Sequence, residues 1–429
     1  MIDLSPHQFQ SALGLLAFVL IAWALSERKR GFPLRQVAVT IPLQIALAAF
    51  FLRVPAARGA LDGLNGVVEA LSAATIEGTS FLFGYVGRTD RLPFGVEDGS
   101  VLFIFAFQAL PLLVVVSALA AVLWHWGVLK RLIQAMAFLV SRILGVGGAV
   151  SLAASANVLL GQTEAPLAIR AYLARLSRSE FYSVIACGYA TVAGTVMVLY
   201  ALILGSVRED ALGHILVASI IGVLGALMLA RIMVPPARGE VPTPASAGDS
   251  FGYEDTMDAF VTGATEGGKL WANIVIAILA FVALVALVNI VLAAALPEVG
   301  GAELSVERLL GWLFAPLVWL AGVPWDQAVA AGGLMGIKTA VNEVVAYEAL
   351  ASLPEGTLDD RAALVMIYAL CGFANVSSIG IVVGGLSALV PERRRDVLDL
   401  APKAVIAGTL ATLGSGACVG LVTTPGLGG

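Results

Sequence analysis

The sequence predicts an all-α polytopic membrane protein, with about eight transmembrane helices and two re-entrant hairpins in inverted repeats. Three observations lead there. Hydrophobic residues make up 59% of the 429 and charged residues only 13%, with a mean hydropathy of +0.92. A soluble domain has about 25% charged residues, so lipid must solvate much of this surface rather than an oversized core absorbing it. Apolar runs of spanning length recur along the chain. A polar device also occurs twice: Glu164 precedes Cys187-Gly188-Tyr189-Ala190 by 23 residues, and Glu343 precedes Cys371-Gly372-Phe373-Ala374 by 28. Doubling of a broken, polar stretch in an apolar chain marks a secondary transporter.

A span needs about 20 apolar residues. The first lies at 9–26; it ends in Glu27-Arg28-Lys29-Arg30 without a small-residue cleavage site, so it reads as a helix and not a cleavable signal. The second lies at 37–53. Residues 59–78 mix apolar positions with Asp62, Asn65, Glu69 and Glu77, as an interfacial helix does. The third span, at 101–124, precedes an amphipathic basic stretch at 128–142 suited to the membrane surface. Residues 147–176 are apolar but broken at Leu160-Gly161-Gln162-Thr163-Glu164-Ala165-Pro166. Spans four and five follow at 184–205 and 212–232, then a Pro- and Ser-rich loop at 234–250 that separates the repeats. The sixth span is 269–296. Residues 309–350 are again broken, at Gly336-Ile337-Lys338-Thr339-Ala340-Val341-Asn342-Glu343, and spans seven and eight lie at 362–390 and 401–423.

Basic residues fix the orientation. Arg28, Lys29, Arg30 and Arg35, then Lys130, Arg131 and Arg142, then Arg231 and Arg238, then Arg393-Arg394-Arg395 share one side if both termini lie outside the cytoplasm. The broken stretches then enter and leave on one face each, as hairpins of opposite sense. Such backbone persists at membrane depth only inside protein or a wet cavity. The chain forms a single membrane domain, 1–429, with scaffold spans at 101–127 and 268–297, one hairpin-plus-broken-helix repeat at 147–205 and another at 309–390.

A charged side chain at the bilayer centre costs about 2.5–3.5 kcal/mol. Glu164 and Glu343 sit in such surroundings, with Gln162, Thr163, Asn342 and Asn375 as further hydrogen-bonding groups. Intramembrane ionisable groups default to function; the alternative is that these groups only pair with one another to hold helix ends. Two carboxylates and two amides suit a neutral, hydroxyl-bearing ligand, and Phe373 offers a face to a planar ring, where stacking contributes about 1–3 kcal/mol. An anion would call for cations at the tips, and only Lys338 lies near, available as a counter-charge to Glu343. His7, His125 and His214 fall at span ends and read as interfacial.

Other function classes fit poorly. The net charge of −5 argues against a nucleic-acid partner. Cys187, Cys371 and Cys418 show no metal spacing. No His-Glu-x-x-His or His-paired nucleophile supports an intramembrane enzyme. A channel calls for rings of like charge or carbonyls, not two mixed amide-carboxylate tips.

Gly161-Gln162-Thr163-Glu164-Ala165-Pro166-Leu167, Asn342-Glu343-Val344-Val345-Ala346-Tyr347 and Cys371-Gly372-Phe373-Ala374-Asn375-Val376-Ser377-Ser378-Ile379 resemble the signatures of concentrative nucleoside transporters. Phe105-Ala106-Phe107-Gln108, Gly263-Ala264-Thr265-Glu266-Gly267, Gly384-Gly385-Leu386 and Pro391-Glu392-Arg393-Arg394 are similar to further blocks, and the resemblance spans about 12 to 420. It implies that Gln162, Thr163 and Glu164 face a nucleobase, that Glu343, Asn375 and Ser378 bind ribose hydroxyls, and that Phe373 lies against the nucleoside. It implies sodium as the coupling ion, held by the Asn157 and Thr191 side chains and the Leu160 and Val192 carbonyls, oxygens of the kind a hard cation takes. No other cofactor is expected. Sodium symport by an elevator-type mechanism is the expectation and proton coupling the alternative. A homotrimer in the plasma (inner) membrane, with the third and sixth spans as fixed scaffold, is implied too. The chain departs from the pattern at Val150, where relatives often carry Glu, at Thr191, often Ser, and at Val344 and Val376, often Phe.

Overall fold

The computed structural model describes residues 6–29, 31–88, 103–162, 164–205, 207–244, 252–299, 301 and 303–423. Its regular elements are helices, with no strand element among the described residues. The first part of the chain forms α1 (Pro6–Ala24), α2 (Leu34–Arg53), α3 (Pro55–Phe83), α4 (Phe105–Gln108), α5 (Leu112–His125) and α6 (Val128–Leu144). Next come α7 (Gly148–Leu159), a 3₁₀ run (Ala165–Arg175), α8 (Arg178–Tyr189), α9 (Gly194–Leu204), α10 (Ala211–Met233) and α11 (Thr256–Ala295). The last part holds α12 (Val306–Ala321), α13 (Ala328–Ala340), α14 (Glu343–Ala351), α15 (Asp360–Leu370), α16 (Val376–Leu389) and α17 (Arg394–Val422).

Among the described residues, seven helical stretches are long and apolar enough to cross a membrane: α1, α2, Phe105–His125, Arg178–Leu204, α10, α11 and Pro391–Val422. The stretch expected as the seventh span is divided into α15 and α16, because the backbone leaves the helix at Cys371 and restarts at Asn375, whose side chain caps α16 by accepting from the Ser378 amide at 2.8 Å. Residues 309–350 form three helices rather than one broken pair. Gly322, at φ +119, ends α12 in a left-handed conformation that favours glycine, and Pro324 follows it. The turn between α13 and α14 then falls at Val341-Asn342.

α6 has the surface character its pattern predicts: Ile133, Ala137 and Leu144 are its buried residues, and Lys130, Arg131 and Arg142 lie on the rest. The stretch expected to lie at the interface belongs to the longer α3, which exposes Val67, Phe81 and Leu82.

Burial separates centre from periphery. The best apolar windows of α10 and of Pro391–Val422 are 83% buried, while that of α11 is 0% buried. α11 has 40 residues, about 60 Å of helix at 1.5 Å per residue, twice a hydrocarbon core of about 30 Å. Its contact with α5 runs through small residues. A methyl on Gly263 would come within 2.6 Å of Ala121 Cβ, and one on Gly267 within 2.7 Å of both the Leu113 oxygen and Val114 Cα. This is the close approach that a Gly-x-x-x-Gly stripe permits. Gly267→Val should push the two helices apart and cost about 1–3 kcal/mol, as overpacking does. A lowered thermal midpoint in detergent checks this, and an unchanged one would count against the tight crossing.

Arg361 ties the ends of distant elements together, donating to the Gly322 and Gly420 carbonyls at 2.7 Å each and to the His7 carbonyl at 3.3 Å. On the opposite face Arg178, at the start of α8, donates to Glu27 at 2.7 Å, and Lys403 reaches the same carboxylate at 3.0 Å.

Candidate functional site

Both copies of the Cys-Gly-aromatic-Ala pattern stand where a helix stops. Cys187 and Gly188 are in the last turn of α8, before the irregular residues 190–193, and Cys371 is the C-cap of α15. Both cysteines are buried. The glycines let neighbouring backbone pass: a methyl on Gly188 would lie 3.0 Å from Gln162 Cβ, and one on Gly372 would lie 2.7 Å from the Tyr189 oxygen. The Phe373 amide donates to the Thr191 carbonyl at 3.2 Å. The two interrupted helices therefore meet at their breaks, where unspent backbone groups gather.

Glu343 opens α14 and is 4% exposed. Its Oε1 accepts from the Tyr200 hydroxyl at 2.7 Å and its Oε2 from Asn375 Nδ2 at 2.9 Å. The amide of Asn375 has one orientation, because its Oδ1 accepts from the Ser378 amide at 2.8 Å and the Ser377 hydroxyl at 2.7 Å. The Tyr189 hydroxyl donates to the Ser378 carbonyl at 3.4 Å. A carboxylate has about four lone-pair sites, so acceptor capacity on Glu343 remains for another donor.

Around the other break, Asn157 is 1% exposed and lies on α7. Its Nδ2 donates to the Ala153 carbonyl at 3.1 Å, while its buried Oδ1 has no hydrogen-bond partner. A methyl on Gly188 would lie 3.6 Å from that oxygen, so it is aimed at the end of α8. Thr191 donates its hydroxyl to the Cys187 carbonyl at 3.0 Å, leaving its oxygen lone pairs available. Leu160 is extended (φ −109, ψ 166), which turns its peptide out of the helix. Tip and break are in close apposition: a methyl on Gly194 would come 2.6 Å from the Leu159 oxygen, and one on Gly161 would lie 3.6 Å from Ala193 Cβ. Each of these oxygens is of the kind a hard cation takes. Gln162 likewise has a buried Oε1 without a partner, and Glu164 Oε2 accepts from the Gly161 amide at 3.1 Å.

The structure thus brings Glu343, Asn375 and Ser378 into one hydrogen-bonded cluster. It brings the hairpin tip that carries Asn157, Leu160, Gln162 and Glu164 against the end of α8 and the break that holds Thr191 and Val192, and the Phe373 amide reaches that break at Thr191. Thr163 lies outside the described residues. Lys338 lies close enough to act on Glu343 as a counter-charge. It is wholly buried, and its ammonium donates to the Ala369 carbonyl at 2.9 Å and the Thr412 hydroxyl at 3.0 Å. Ala369 is in the last turn of α15, where carbonyls lack helical partners and a cation is favoured; the lysine caps the broken helix and does not hydrogen-bond Glu343. His214, in the first turn of α10, is 6% exposed, with Nδ1 3.1 Å from the Tyr368 hydroxyl and Nε2 3.1 Å from Asp210. Val344 is buried beside Glu343, whereas Val376 is 54% exposed.

Sequence reasoning passed over Tyr200. Its ring lies 4.9 Å from that of Tyr347, whose hydroxyl donates to the Ile367 carbonyl at 2.9 Å. The available signal was a lone phenol in the apolar run of α9, which must find an acceptor when buried.

Models of three family segments match the chain: "Na+ dependent nucleoside transporter N-terminus" over 13–86, "Nucleoside recognition" over 106–207, and "Na+ dependent nucleoside transporter C-terminus" over 214–420. The nucleoside permease NupC of Helicobacter pylori is 33% identical, covering 96% of this chain and 97% of its own. The rat sodium/nucleoside cotransporter 1 is 31% identical over 98% of this chain and 64% of its own length. The solved structure of CNTnw in an inward-facing substrate-bound state superposes with a TM-score of 0.87 at 35% identity over 96% of this chain and 97% of that one. An outward-facing CNTnw variant gives 0.88 at 36%, over 97% and 98%.

Proposed function

Since the chain belongs to the Na+-dependent nucleoside transporter family, and is a multi-pass plasma-membrane nucleoside transporter and not an enzyme, we propose that it imports nucleosides by sodium symport. The observation that carries the substrate half is the buried Glu343 carboxylate, oriented by Tyr200 and Asn375 with acceptor capacity left over. A vicinal diol supplies two donors at the spacing of one carboxylate. Glu343, Asn375 and Ser378 then hold the ribose, while Gln162, Thr163 and Glu164 face the base and Phe373 lies along the nucleoside. The unpartnered Gln162 Oε1 supports an amide acceptor for a base N–H.

For the ion, the buried Oδ1 of Asn157 supports a cation held with the Thr191 hydroxyl and the Leu160 and Val192 carbonyls. Sodium shares this region with the substrate through the contact between the breaks, so each ligand can favour the conformation the other binds. We place 101–127 and 268–297 in a fixed scaffold of a homotrimer. The wholly unburied apolar window of α11 supports this, since it needs lipid or a neighbouring subunit. The repeats 147–205 and 309–390, with their hairpins dipping into the membrane, would then move the site across the bilayer.

Uptake of labelled uridine into proteoliposomes tests this. At fixed pH, replacing sodium by choline should abolish accumulation, and a 2′,3′-dideoxynucleoside should be carried roughly 100-fold less well, since each lost donor to a charged acceptor is worth about 1.5–3 kcal/mol. Undiminished uptake in choline that follows an imposed pH gradient would move the coupling to protons.

A further inference from the structure

A cavity of about 880 Å³ lies on the face that carries the basic loops, between the start of α2, the end of α6 and the end of α10. Six cations line it, Arg28, Lys29, Arg35, Arg142, Arg231 and Arg238, and no carboxylate does. The chain as a whole carries a net charge of −5, so this is a local concentration against the overall balance. Among the described residues no salt bridge joins any of the six to an acid. The partners they do have are neutral: the Trp23 carbonyl for Lys29 at 3.1 Å, Gln36 Oε1 for Arg231 at 3.3 Å, and the ring of Phe138 for Arg142 at 6.0 Å. Two acids outside the lining, Glu180 and Glu240, act on Arg231 but form no ion pair with it; Glu180 accepts from Thr243 and caps α8, and Glu240 accepts from the Ala237 amide.

Like charges this close repel within a screening length of about 8 Å, and a multivalent anion between them removes that cost. Guanidinium groups favour phosphate because two of their N–H groups match two of its oxygens. The place of the cavity indicates the source. It lies by the helix ends Leu34, Leu144 and Met233, and the ends of spanning helices meet the headgroup region. Val39 and Ile143 in its wall are exposed, as are Leu34, Phe138 and Leu139 nearby. That combination of a cationic bowl and an apolar rim fits an amphiphile.

We infer that this cavity binds a phosphate-bearing anion, namely the headgroup of an anionic phospholipid, independently of nucleoside and sodium binding. The purified full chain is tested by thermal unfolding in detergent with added phosphatidylglycerol, phosphatidylcholine or inorganic pyrophosphate. Phosphatidylglycerol should raise the midpoint and phosphatidylcholine should not. The apparent affinity should fall about fivefold per charge removed, at about 1 kcal/mol each, in Arg35→Gln, Arg142→Gln and Arg238→Gln and in their combination. Arg238 lies in the loop after α10, so its single variant reads the affinity even if the combination does not fold. Stabilisation by pyrophosphate equal to that by the lipid, lost in the same variants, would keep the phosphate site and overturn the lipid source. An equal response to both lipids, or an unchanged phosphatidylglycerol affinity in Arg238→Gln and Arg35→Gln, would overturn the site.

Discussion

Glu343→Gln should lower uridine uptake by roughly ten- to a hundredfold, the equivalent of about 1.5–3 kcal/mol for a hydrogen bond to a charged acceptor. The argument is one of counting. The carboxylate presents acceptors on both oxygens, and the Tyr200 hydroxyl and Asn375 Nδ2 use one each. Glutamine keeps one acceptor oxygen and substitutes a donor for the other. Asn375 has no freedom to turn, because its own oxygen caps α16 through the Ser378 amide. Either Asn375 or Tyr200 is then left facing a donor or an emptied direction, and an incoming diol finds fewer lone pairs. Uptake in proteoliposomes and calorimetric binding of uridine should fall together. A variant that binds and transports at the wild-type rate would remove Glu343 from the substrate site. A variant that loses both but melts far below the wild type would identify a structural carboxylate instead.

The fold was legible where lipid imposes a one-dimensional constraint. A spanning helix must be a contiguous apolar run, so α1, α2, α10, α11 and α17 could be read from their stretches of sequence. The breaks were legible too, because Gly372 and Asn375 interrupt an apolar run with residues that end and cap helices. Partnerships were harder, since they depend on what docks in three dimensions. Lys338 precedes Glu343 by about one helical turn and a half, and it does act on Glu343 as a charge. Its hydrogen bond to the end of α15 was not legible, because a buried helix terminus needs a donor that α15 itself does not supply. The partners of His214 were not legible from its place near a helix start, since docking α15 against α10 encloses it with Tyr368 and Asp210. The second hairpin was drawn too long because α12 is as apolar as the helices that follow it; the left-handed Gly322 before Pro324 was the sign that α12 is separate. Glu343 and Asn375 stand out in the sequence for their cost in a bilayer, and the structure hydrogen-bonds them to each other, whereas Tyr200 is hidden by the hydrophobic majority of its side chain.

Asn157→Ala should raise the sodium concentration needed for half-maximal uptake by roughly tenfold or more, by the same estimate of about 1.5–3 kcal/mol for a lost charge-bearing contact, while leaving the order of preference among nucleosides unchanged. The side chain has two functions that can be separated. Its Nδ2 bonds to the Ala153 carbonyl one turn back on α7, which is a local hydrogen bond worth little. Its Oδ1 is buried without a donor, and an orphaned buried acceptor costs about 1–3 kcal/mol unless a cation or proton donor meets it. Alanine removes both at once, relieving the protein of that cost when sodium is absent and withdrawing a ligand when it is present. The sodium-free form should therefore melt no lower than wild type, and the stabilisation produced by adding sodium should shrink. If Asn157 served only to brace the hairpin, the sodium-free form would melt lower and the increment from sodium would be unchanged. Thr191→Val gives an independent comparison, since it keeps the shape and deletes a second proposed oxygen ligand. A sodium response equal to wild type in both variants would place the ion elsewhere.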